Sequence, residues 1–238
     1  MATFNVIVHG RIDLPSAIGL ETSTACNRRC HYCPQSVAPH KQKIVAADIW
    51  LLFLRRLEEF RWRGAVALTK YNEFSLVPNS WNYVAALRDR GCRPVLFSNG
   101  DRPEVIERWV EAGAFRVRVT EHPPFRPEWA ERIEEVRRRH PRVVKVARLQ
   151  WLHNQAGRIE TGERMDYCYN AHGISVNHDG TVSMCCLDYE NEHLVGDIRR
   201  QSFAEIWRSP RHRAVREKVV RGIPATPLCS TCLNPKAA

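Results

Sequence analysis

The first part of the chain alternates short runs rich in β-branched residues with longer stretches in which apolar side chains recur every three or four positions. This alternation predicts parallel strands joined by crossover helices, so the expected fold class is α/β. The predicted strands lie at residues 18–22, 65–69, 94–98, 115–120 and 143–151. The predicted helices lie at residues 46–61, 81–88, 103–112 and 127–138.

After Asn154 the pattern changes to polar loops. A β-hairpin is predicted at residues 173–185 and a helix at residues 202–221. At 238 residues the chain is long enough for one substantial core with a small extension. We therefore expect a main domain at residues 1–157 and a smaller unit at residues 158–238.

The composition, with 44% hydrophobic and 26% charged residues, is that of an ordinary globular protein. No apolar run approaches the roughly 20 residues that span a bilayer, and the first residues lack a signal-peptide pattern, so a cytoplasmic protein without membrane contact is expected. The net charge of +10 favours acidic partners. Because many basic residues lie in predicted helices, a solvated surface explains them more simply than nucleic-acid binding does.

Three of the nine cysteines, Cys26, Cys30 and Cys33, lie within eight residues just after a predicted strand. Without a secretory signal, such residues bind metal more often than they form disulfides. Three thiolates do not complete a four-cysteine zinc site, so one coordination position is left for another ligand. The alternative is a zinc knuckle completed by His31 or by a distant cysteine.

A second set of thiols lies in the C-terminal part, and it consists of Cys168, Cys185, Cys229 and Cys232. Four such thiols suit either a zinc ion or an iron-sulfur cluster, and their spacing does not choose between the two. Cys186 is left over. It is interpreted as a small buried hydrophobic residue, an alternate ligand or a thiol that donates a hydrogen atom.

The first set, with three residues and then two between its cysteines and with the aromatic Tyr32 before Cys33, resembles the motif of radical S-adenosylmethionine (SAM) enzymes. The resemblance implies a [4Fe-4S] cluster on the three cysteines, with SAM chelating the free iron and Tyr32 near the adenine. It also implies a partial (β/α)6 TIM-like barrel with this site at the carboxyl ends of the strands.

The resemblance extends to segments that would hold SAM. Glu73 matches the carboxylate of a Gly-Gly-Glu-like segment that binds the methionine amine, although both glycines are absent here. Ser98 and Asn99 resemble the ribose-contacting segment, with an ordinary turn as the alternative. Asn154 begins an Asn-x-Ala-Gly segment and is expected near SAM. Candidate substrate contacts at the carboxyl ends of barrel strands are Lys70, Tyr71, Glu121, His122 and Arg148.

The C-terminal part resembles the auxiliary-cluster region of SPASM/twitch radical SAM proteins. The segments that carry the resemblance are Cys168, Gly180, Thr181-Val182, Cys185-Cys186, Gly196-Asp197-Ile198, Ile206-Trp207-Arg208 and Cys229-Ser230-Thr231-Cys232. No further cysteine follows Cys232. The resemblance therefore implies the shorter twitch form, a β-hairpin plus helix that holds a second [4Fe-4S] cluster on Cys168, Cys185, Cys229 and Cys232.

These resemblances imply an enzyme that reductively cleaves SAM to a 5'-deoxyadenosyl radical, which abstracts a hydrogen atom from the substrate. A nearby auxiliary cluster would accept the remaining electron, as in twitch enzymes of the deoxy-scyllo-inosamine dehydrogenase type. The expected reaction is the oxidation of a small polyol, aminosugar or cyclitol in natural product biosynthesis, with an acidic flavodoxin or ferredoxin as electron donor. The alternatives are radical modification of a ribosomally made peptide and a non-catalytic zinc protein that binds nucleic acid.

Overall fold

The structure is a computed structural model that describes residues 14–122, 127–148, 156, 158–159, 164–168 and 170–234, apart from the side chains of residues 148 and 171. All structural statements below concern this part of the chain. Asn154 and residues 149–151 of the last predicted strand lie outside it.

The strands form one sheet of eight in the order β5-β4-β3-β2-β1-β6-β7-β8. Their bounds are β1 Ala17–Leu20, β2 Ala65–Ala67, β3 Arg93–Ser98, β4 Arg116–Glu121, β5 Val144–Arg148, β6 Ile174–Val176, β7 Thr181–Ser183 and β8 Leu194–Asp197. Strands β1 to β5 pair in parallel, and β6 pairs in parallel with the other side of β1. Strands β7 and β8 complete the sheet in antiparallel orientation.

Helices connect the first five strands and follow the sheet in the C-terminal part. Their bounds are α1 Ala47–Glu59, α2 Ser80–Asp89, α3 Pro103–Glu111, α4 Pro127–Arg139, α5 Phe203–Arg208, α6 Pro210–Val219 and α7 Pro227–Cys232. Short 3-10 helices lie at Pro34–Ser36, Phe74–Leu76 and Asn170–His172.

The core forms where the apolar faces of the helices meet the sheet. Phe53 and Leu57 of α1 and Trp109 of α3 are buried, as their helical spacing predicts. In β3 the buried residues alternate with more exposed ones, so Leu96 is fully buried while Phe97 is 42% exposed. The helices therefore cover the parallel strands and leave their carboxyl ends free to carry loops.

The α/β class and the TIM-like partial barrel are confirmed, with five consecutive parallel strands in the described residues. The hairpin prediction is confirmed as β6 and β7. The single helix expected at residues 202–221 is wrong, because Ser209 adopts an extended ψ of 142° and starts a new helix with Pro210 in its first turn. Strand β8 and helix α7 were not predicted, because each is too short to show a period.

The C-terminal unit continues the barrel sheet, since Ile18 of β1 is in register with Ile174 of β6. The division at residues 157 and 158 stays a prediction. No helix in the described ranges is long and apolar enough to cross a membrane.

Candidate functional site

The first thiol site is a loop that begins six residues after β1. Its three cysteines, Cys26, Cys30 and Cys33, are half-buried and have free thiols. The Cys33 N–H donates to the Cys30 carbonyl at 2.8 Å, and the Arg28 N–H donates to Cys26 Sγ at 3.5 Å. Burial raises the pKa of the Cys33 thiol to about 11, and the neighbouring Cys26 and Cys30 add to that shift. The three sulfurs thus lie within electrostatic reach of one another.

Arg28 ties this loop to the neighbouring loop after β3. Its Nε and Nη2 donate to the two carboxylate oxygens of Asp101 at 2.9 and 2.6 Å, and its Nη1 donates to the His122 carbonyl at 3.2 Å. The hydrogen bond from Arg28 to Asp101 raises the pKa of the guanidinium further. Asn27 adds a contact, because its Nδ2 donates to Asp101 at 2.8 Å.

Tyr32 is buried and faces His122 at the end of β4. The Tyr32 hydroxyl and His122 Nδ1 form a hydrogen bond, and the two rings are stacked with centroids 5.7 Å apart. Burial raises the pKa of Tyr32 and lowers that of His122 to about 4, and the positive charge of Arg28 contributes to the shift of His122. At neutral pH both groups are therefore uncharged.

Glu73 joins the segments predicted to hold SAM. Ser98 Oγ donates to its Oε1 at 2.9 Å, and the Asn99 N–H donates to its Oε2 at 2.7 Å. The Ser75 N–H also donates to Oε1, at 3.1 Å. Burial raises the pKa of Glu73, and the hydrogen bonds that it accepts oppose the shift. Because a carboxylate has about four acceptor positions, one more donor such as an amine can be accommodated.

Asn99 links this group back to the first thiol site, since its Nδ2 donates to Asn27 Oδ1 at 2.8 Å. The structure therefore brings Tyr32, Glu73, Ser98 and Asn99 to the same end of the sheet as the three cysteines. Their roles toward SAM stay predictions.

The second thiol site is buried. Cys168, Cys185, Cys229 and Cys232 line a small cavity, together with apolar side chains that include Met165, Met184 and Val219. Helix α7 carries Cys229 and Cys232, and Thr226 caps it. Burial raises the pKa of Cys232 to about 12, and Cys168 and Cys229 add to that shift.

Donors point at two of these sulfurs. The Leu187 N–H donates to Cys185 Sγ at 3.3 Å, and Thr226 Oγ1 donates to Cys229 Sγ at 3.4 Å. Four thiols that line one apolar cavity suit a four-thiolate cluster by their chemistry. Within the described ranges, no three His, Cys, Asp or Glu side chains are arranged around a point that would hold a single metal ion.

Tyr71 lies between the two thiol sites. Burial raises the pKa of its hydroxyl, and Cys186, Cys185 of the second site and Cys33 of the first add to the shift. Its hydroxyl donates to the Leu187 carbonyl at 3.4 Å, and its ring meets that of Tyr189 edge-on at 4.9 Å.

The remaining predicted substrate contacts are only partly brought together. His122 contacts Tyr32, whereas Glu121 and Arg148 are paired in register at the ends of β4 and β5. Lys70 Nζ is directed toward the C-terminal part of the chain, where it donates to the Asp188 carbonyl at 2.8 Å. The roles of these residues also stay predictions.

Sequence reasoning missed the Arg28–Asp101 pair and the Thr226 cap. Arg28 lies inside the first cysteine motif, and Asp101 follows Ser98-Asn99-Gly100 directly. Opposite charges in two loops expected at the same sheet end were a signal that could have identified the pair. Thr226 lies three residues before Cys229 and directly before a proline, which is a capping pattern.

Comparison with known proteins identifies the class. The model of the radical SAM superfamily matches residues 20–122, and the model of the SPASM iron-sulfur cluster-binding domain matches residues 168–233. The chain is therefore a radical SAM enzyme with a SPASM-type domain, and its cofactors are SAM and two [4Fe-4S] clusters.

Individual relatives narrow the resemblance. The chain is 24% identical to an S-adenosyl-L-methionine-dependent 2-deoxy-scyllo-inosamine dehydrogenase of Niallia circulans, over 92% of this chain and 93% of that protein. A crystal structure of BtrN in complex with AdoMet and 2-DOIA superposes with a TM-score of 0.83, at 23% identity over 93% of this chain and 94% of that one. A structure of anSMEcpe with bound AdoMet gives a TM-score of 0.64 at 12% identity, over 87% and 81% of the two chains.

Proposed function

We propose that this enzyme oxidises a small polyol, aminosugar or cyclitol, with the first cluster on Cys26, Cys30 and Cys33 and the second on Cys168, Cys185, Cys229 and Cys232. The observation that carries the proposal is the position of Tyr71 between two unlike thiol sites: Gln35, two residues after Cys33, donates to its carbonyl at 3.2 Å, and its hydroxyl donates to the carbonyl of Leu187, two residues after Cys185. One site has three half-buried thiols, and the other has four buried thiols. The name of the relative from Niallia circulans supports a dehydrogenase acting on an aminocyclitol.

When bound, SAM and the first cluster supply hydrogen abstraction, and the second cluster supplies an electron acceptor. The chain itself has to hold SAM and orient the substrate. Tyr32, Glu73, Ser98, Asn99 and Asn154 are the proposed SAM contacts. The uncharged side chains of Tyr32 and His122 pack against each other beside the first thiol site, and this packing helps to exclude water.

Substrate orientation falls to groups at the carboxyl ends of β2, β4 and β5. Tyr71 offers a buried phenol, and Glu121, His122 and Arg148 come from neighbouring strands. A carboxylate, an imidazole, a guanidinium and a phenol are well suited to several hydroxyl and amine groups on one small ring. This polar character favours a polyol or aminosugar over an apolar substrate.

The decisive experiment replaces Cys229 with alanine in anaerobically reconstituted enzyme. With 2-deoxy-scyllo-inosamine as the probe, Cys229→Ala is expected to retain SAM cleavage and to lose formation of the oxidised product. Cys92→Ala is the matched control, because Cys92 is a core thiol that donates to the Trp62 carbonyl at 3.3 Å. Full product yield from Cys229→Ala would remove the electron-acceptor role.

A parallel assay addresses the peptide alternative. Mass spectrometry would follow 5'-deoxyadenosine formation with a panel of aminocyclitols and with a panel of peptides. We expect stimulation by aminocyclitols. Stimulation by peptides alone would reverse the proposal in favour of peptide modification.

We further propose that an acidic flavodoxin or ferredoxin docks beside the first thiol site. Arg29, Lys41 and Lys43 are exposed there, and Arg29 Nη1 donates to the Cys26 carbonyl at 2.7 Å. The rate of reduction by flavodoxin should fall with ionic strength, and less steeply in a Lys41→Gln/Lys43→Gln variant than in a Lys218→Gln control. A rate independent of ionic strength would contradict this docking.

A further inference from the structure

Lys70 lies three residues after β2, yet its ammonium group is bound by the C-terminal part of the chain. Nζ donates to Asn177 Oδ1 at 3.1 Å, to the Asp188 carbonyl at 2.8 Å and to Asn191 Oδ1 at 2.5 Å. Ser183 Oγ is a fourth oxygen, at 3.5 Å. The Lys70 side chain therefore connects the loop after β2 to the C-terminal unit that holds the second thiol site.

The oxygens that bind Lys70 are themselves fixed. Asn177 Nδ2 donates to Ser183 Oγ at 2.9 Å, and Ser183 Oγ also lies 2.9 Å from Asn191 Oδ1. The Asp188 N–H donates to the Cys185 carbonyl at 3.1 Å, which closes the turn that starts at Cys185. Lys70 thus binds the last residue of a turn whose first residue lines the second thiol cavity.

The hydrogen-bond partners of Lys70 suit an ammonium group. An ammonium has three protons and no acceptor capacity, and the groups around it present oxygen atoms. Burial lowers the pKa of Lys70, while the carboxylates of Glu21 and Asp188 oppose that shift. Glu21 is itself buried and is paired with His178 at 3.2 Å, so the network contains both signs of charge.

A four-thiolate cluster becomes more negative by one unit when it takes up an electron. The apolar lining of the second cavity disfavours that extra charge, because a low-dielectric surrounding stabilises charge poorly. A cation bound to the adjoining turn, as Lys70 is, offsets this effect. The influence of this cation on the reduction equilibrium of the cluster grows as the local dielectric constant falls.

We propose that Lys70 is a positioning residue for the second cluster: it anchors the Cys185 turn to the barrel, and its charge favours the reduced state of that cluster. The inference rests on the proposed function, which assigns Cys185 as a cluster ligand. It also gives Lys70 a role other than substrate contact. The redox step would be the uptake of one electron by the cluster. In the enzyme that electron would come from the substrate carbon radical left after hydrogen abstraction, which would lose its hydroxyl proton to solvent and become a carbonyl, and in the test it comes from a chemical reductant.

The test is an electron paramagnetic resonance redox titration of the full chain with both clusters, with dithionite and mediators as the reductant. The signal of the second cluster is the one that added SAM does not change. Lys70→Met should shift the reduction equilibrium of this cluster at least tenfold toward the oxidised form, a fall of about 59 mV for one electron. Lys70→Arg keeps the charge, so its reduction equilibrium should stay close to that of the unmodified protein.

A second pair of variants keeps the inference testable if Lys70→Met does not fold. Asn191→Asp places a carboxylate on Nζ and should also shift the equilibrium toward the oxidised form. Asn191→Gly is the control, because Asn191 has a φ of 57° that glycine adopts freely, and it leaves the charge of Lys70 in place. A clearly smaller shift is expected for it.

The outcomes separate the two proposals. Absence of the second signal in the unmodified protein, or an iron content near four rather than about eight, would contradict the proposed function. A second cluster whose potential is the same in Lys70→Met and in Asn191→Asp as in the unmodified protein would overturn the role of Lys70 alone. Equal shifts in Lys70→Met and Lys70→Arg would also overturn the charge effect.

Discussion

The two thiol sites differ in how the chain encloses them. Cys26, Cys30 and Cys33 lie on a half-exposed loop that hydrogen bonds and ion pairs tie to its neighbours. The four distal cysteines are buried, and the cavity that they line is apolar. The first site is thus more accessible to a small molecule and to a protein that delivers electrons than the second is.

The difference also concerns what holds each site in place. The first depends on polar contacts, in particular those of Arg28 and Asp101, whose side chains are 13% and 11% exposed. The second depends on packing, on the α7 helix and on the Lys70 contacts. Polar contacts allow a precise geometry at an open site, and packing excludes water from a closed one.

The largest expected effect comes from removing one thiol of the open site. Cys30→Ala should abolish SAM cleavage and lower the iron content from about eight to about four per chain, because the distal site keeps its own ligands. Anaerobic iron analysis and a 5'-deoxyadenosine assay measure both quantities. Unchanged SAM cleavage in this variant would contradict the assignment of the first cluster to Cys26, Cys30 and Cys33.

Two adjacent cysteines sharpen the description of the closed site. Cys185→Ala should lose about four irons, whereas Cys186→Ala should keep about eight, because Cys185 lines the cavity. Cys186 is the neighbouring thiol, and its hydrogen bond with Cys185 lowers its pKa. Loss of iron in Cys186→Ala would instead make it the ligand.

Mild acid should destabilise the C-terminal part of the protein through the buried His212. Burial lowers the pKa of His212 to about 4, and Arg216 adds to the shift, whereas an exposed histidine titrates near 6.5. Below about pH 6.5 the unfolded chain binds a proton that native His212 does not bind until about pH 4. The free energy of unfolding should therefore fall by about 2 kcal/mol from this residue between pH 7 and pH 5.

Urea denaturation of the reconstituted protein at both pH values measures this effect. His212→Phe should lose the dependence that comes from this residue, while the control His140→Gln should keep it. An equal pH dependence in His212→Phe would show that another group is responsible.

The smallest of these effects concerns the Arg28–Asp101 pair. Asp101→Asn should weaken SAM binding about tenfold, because a charge-assisted pair contributes about 1.5–3 kcal/mol and part of that loss reaches the SAM contacts through Asn27 and Asn99. SAM-induced changes in the signal of the first cluster measure the affinity. Asp89→Asn, in an exposed pair with Arg88, is the control and should change nothing. Equal SAM affinity in Asp101→Asn and Asp89→Asn would show that the Arg28–Asp101 pair does not contribute to SAM binding.

Much of the fold was predictable because long amphipathic helices and alternating strands leave a clear period. Helices α1 and α3 lie within one or two residues of the predicted ranges. The helix at residues 202–221 failed because the local conformation at Ser209 depends on a single proline. Strand β8 has four residues and a register shift in its pairing with β7, so its sequence carries no period of its own.

The thiols of the site were predictable because their chemistry is carried by residue type and spacing. The contacts that hold the thiol-bearing loops were harder to predict, because they join distant segments. Asp101 is 73 residues from Arg28, and Asp188 is 118 residues from Lys70. A contact over such a separation is fixed by the sheet order, which places β6 beside β1, and the sequence alone does not show that order.

The pairing of β1 with β6 also bears on how the protein is made. Strand β1 leaves the ribosome early, yet its partner Ile174 follows Ile18 by 156 residues. The sheet cannot be completed until the later segment has been synthesised, and contacts over such distances slow folding. A nascent chain that ends before β6 would expose one side of β1, which is a surface prone to aggregation. Chaperones and cluster-assembly proteins would therefore meet an incomplete sheet during most of synthesis.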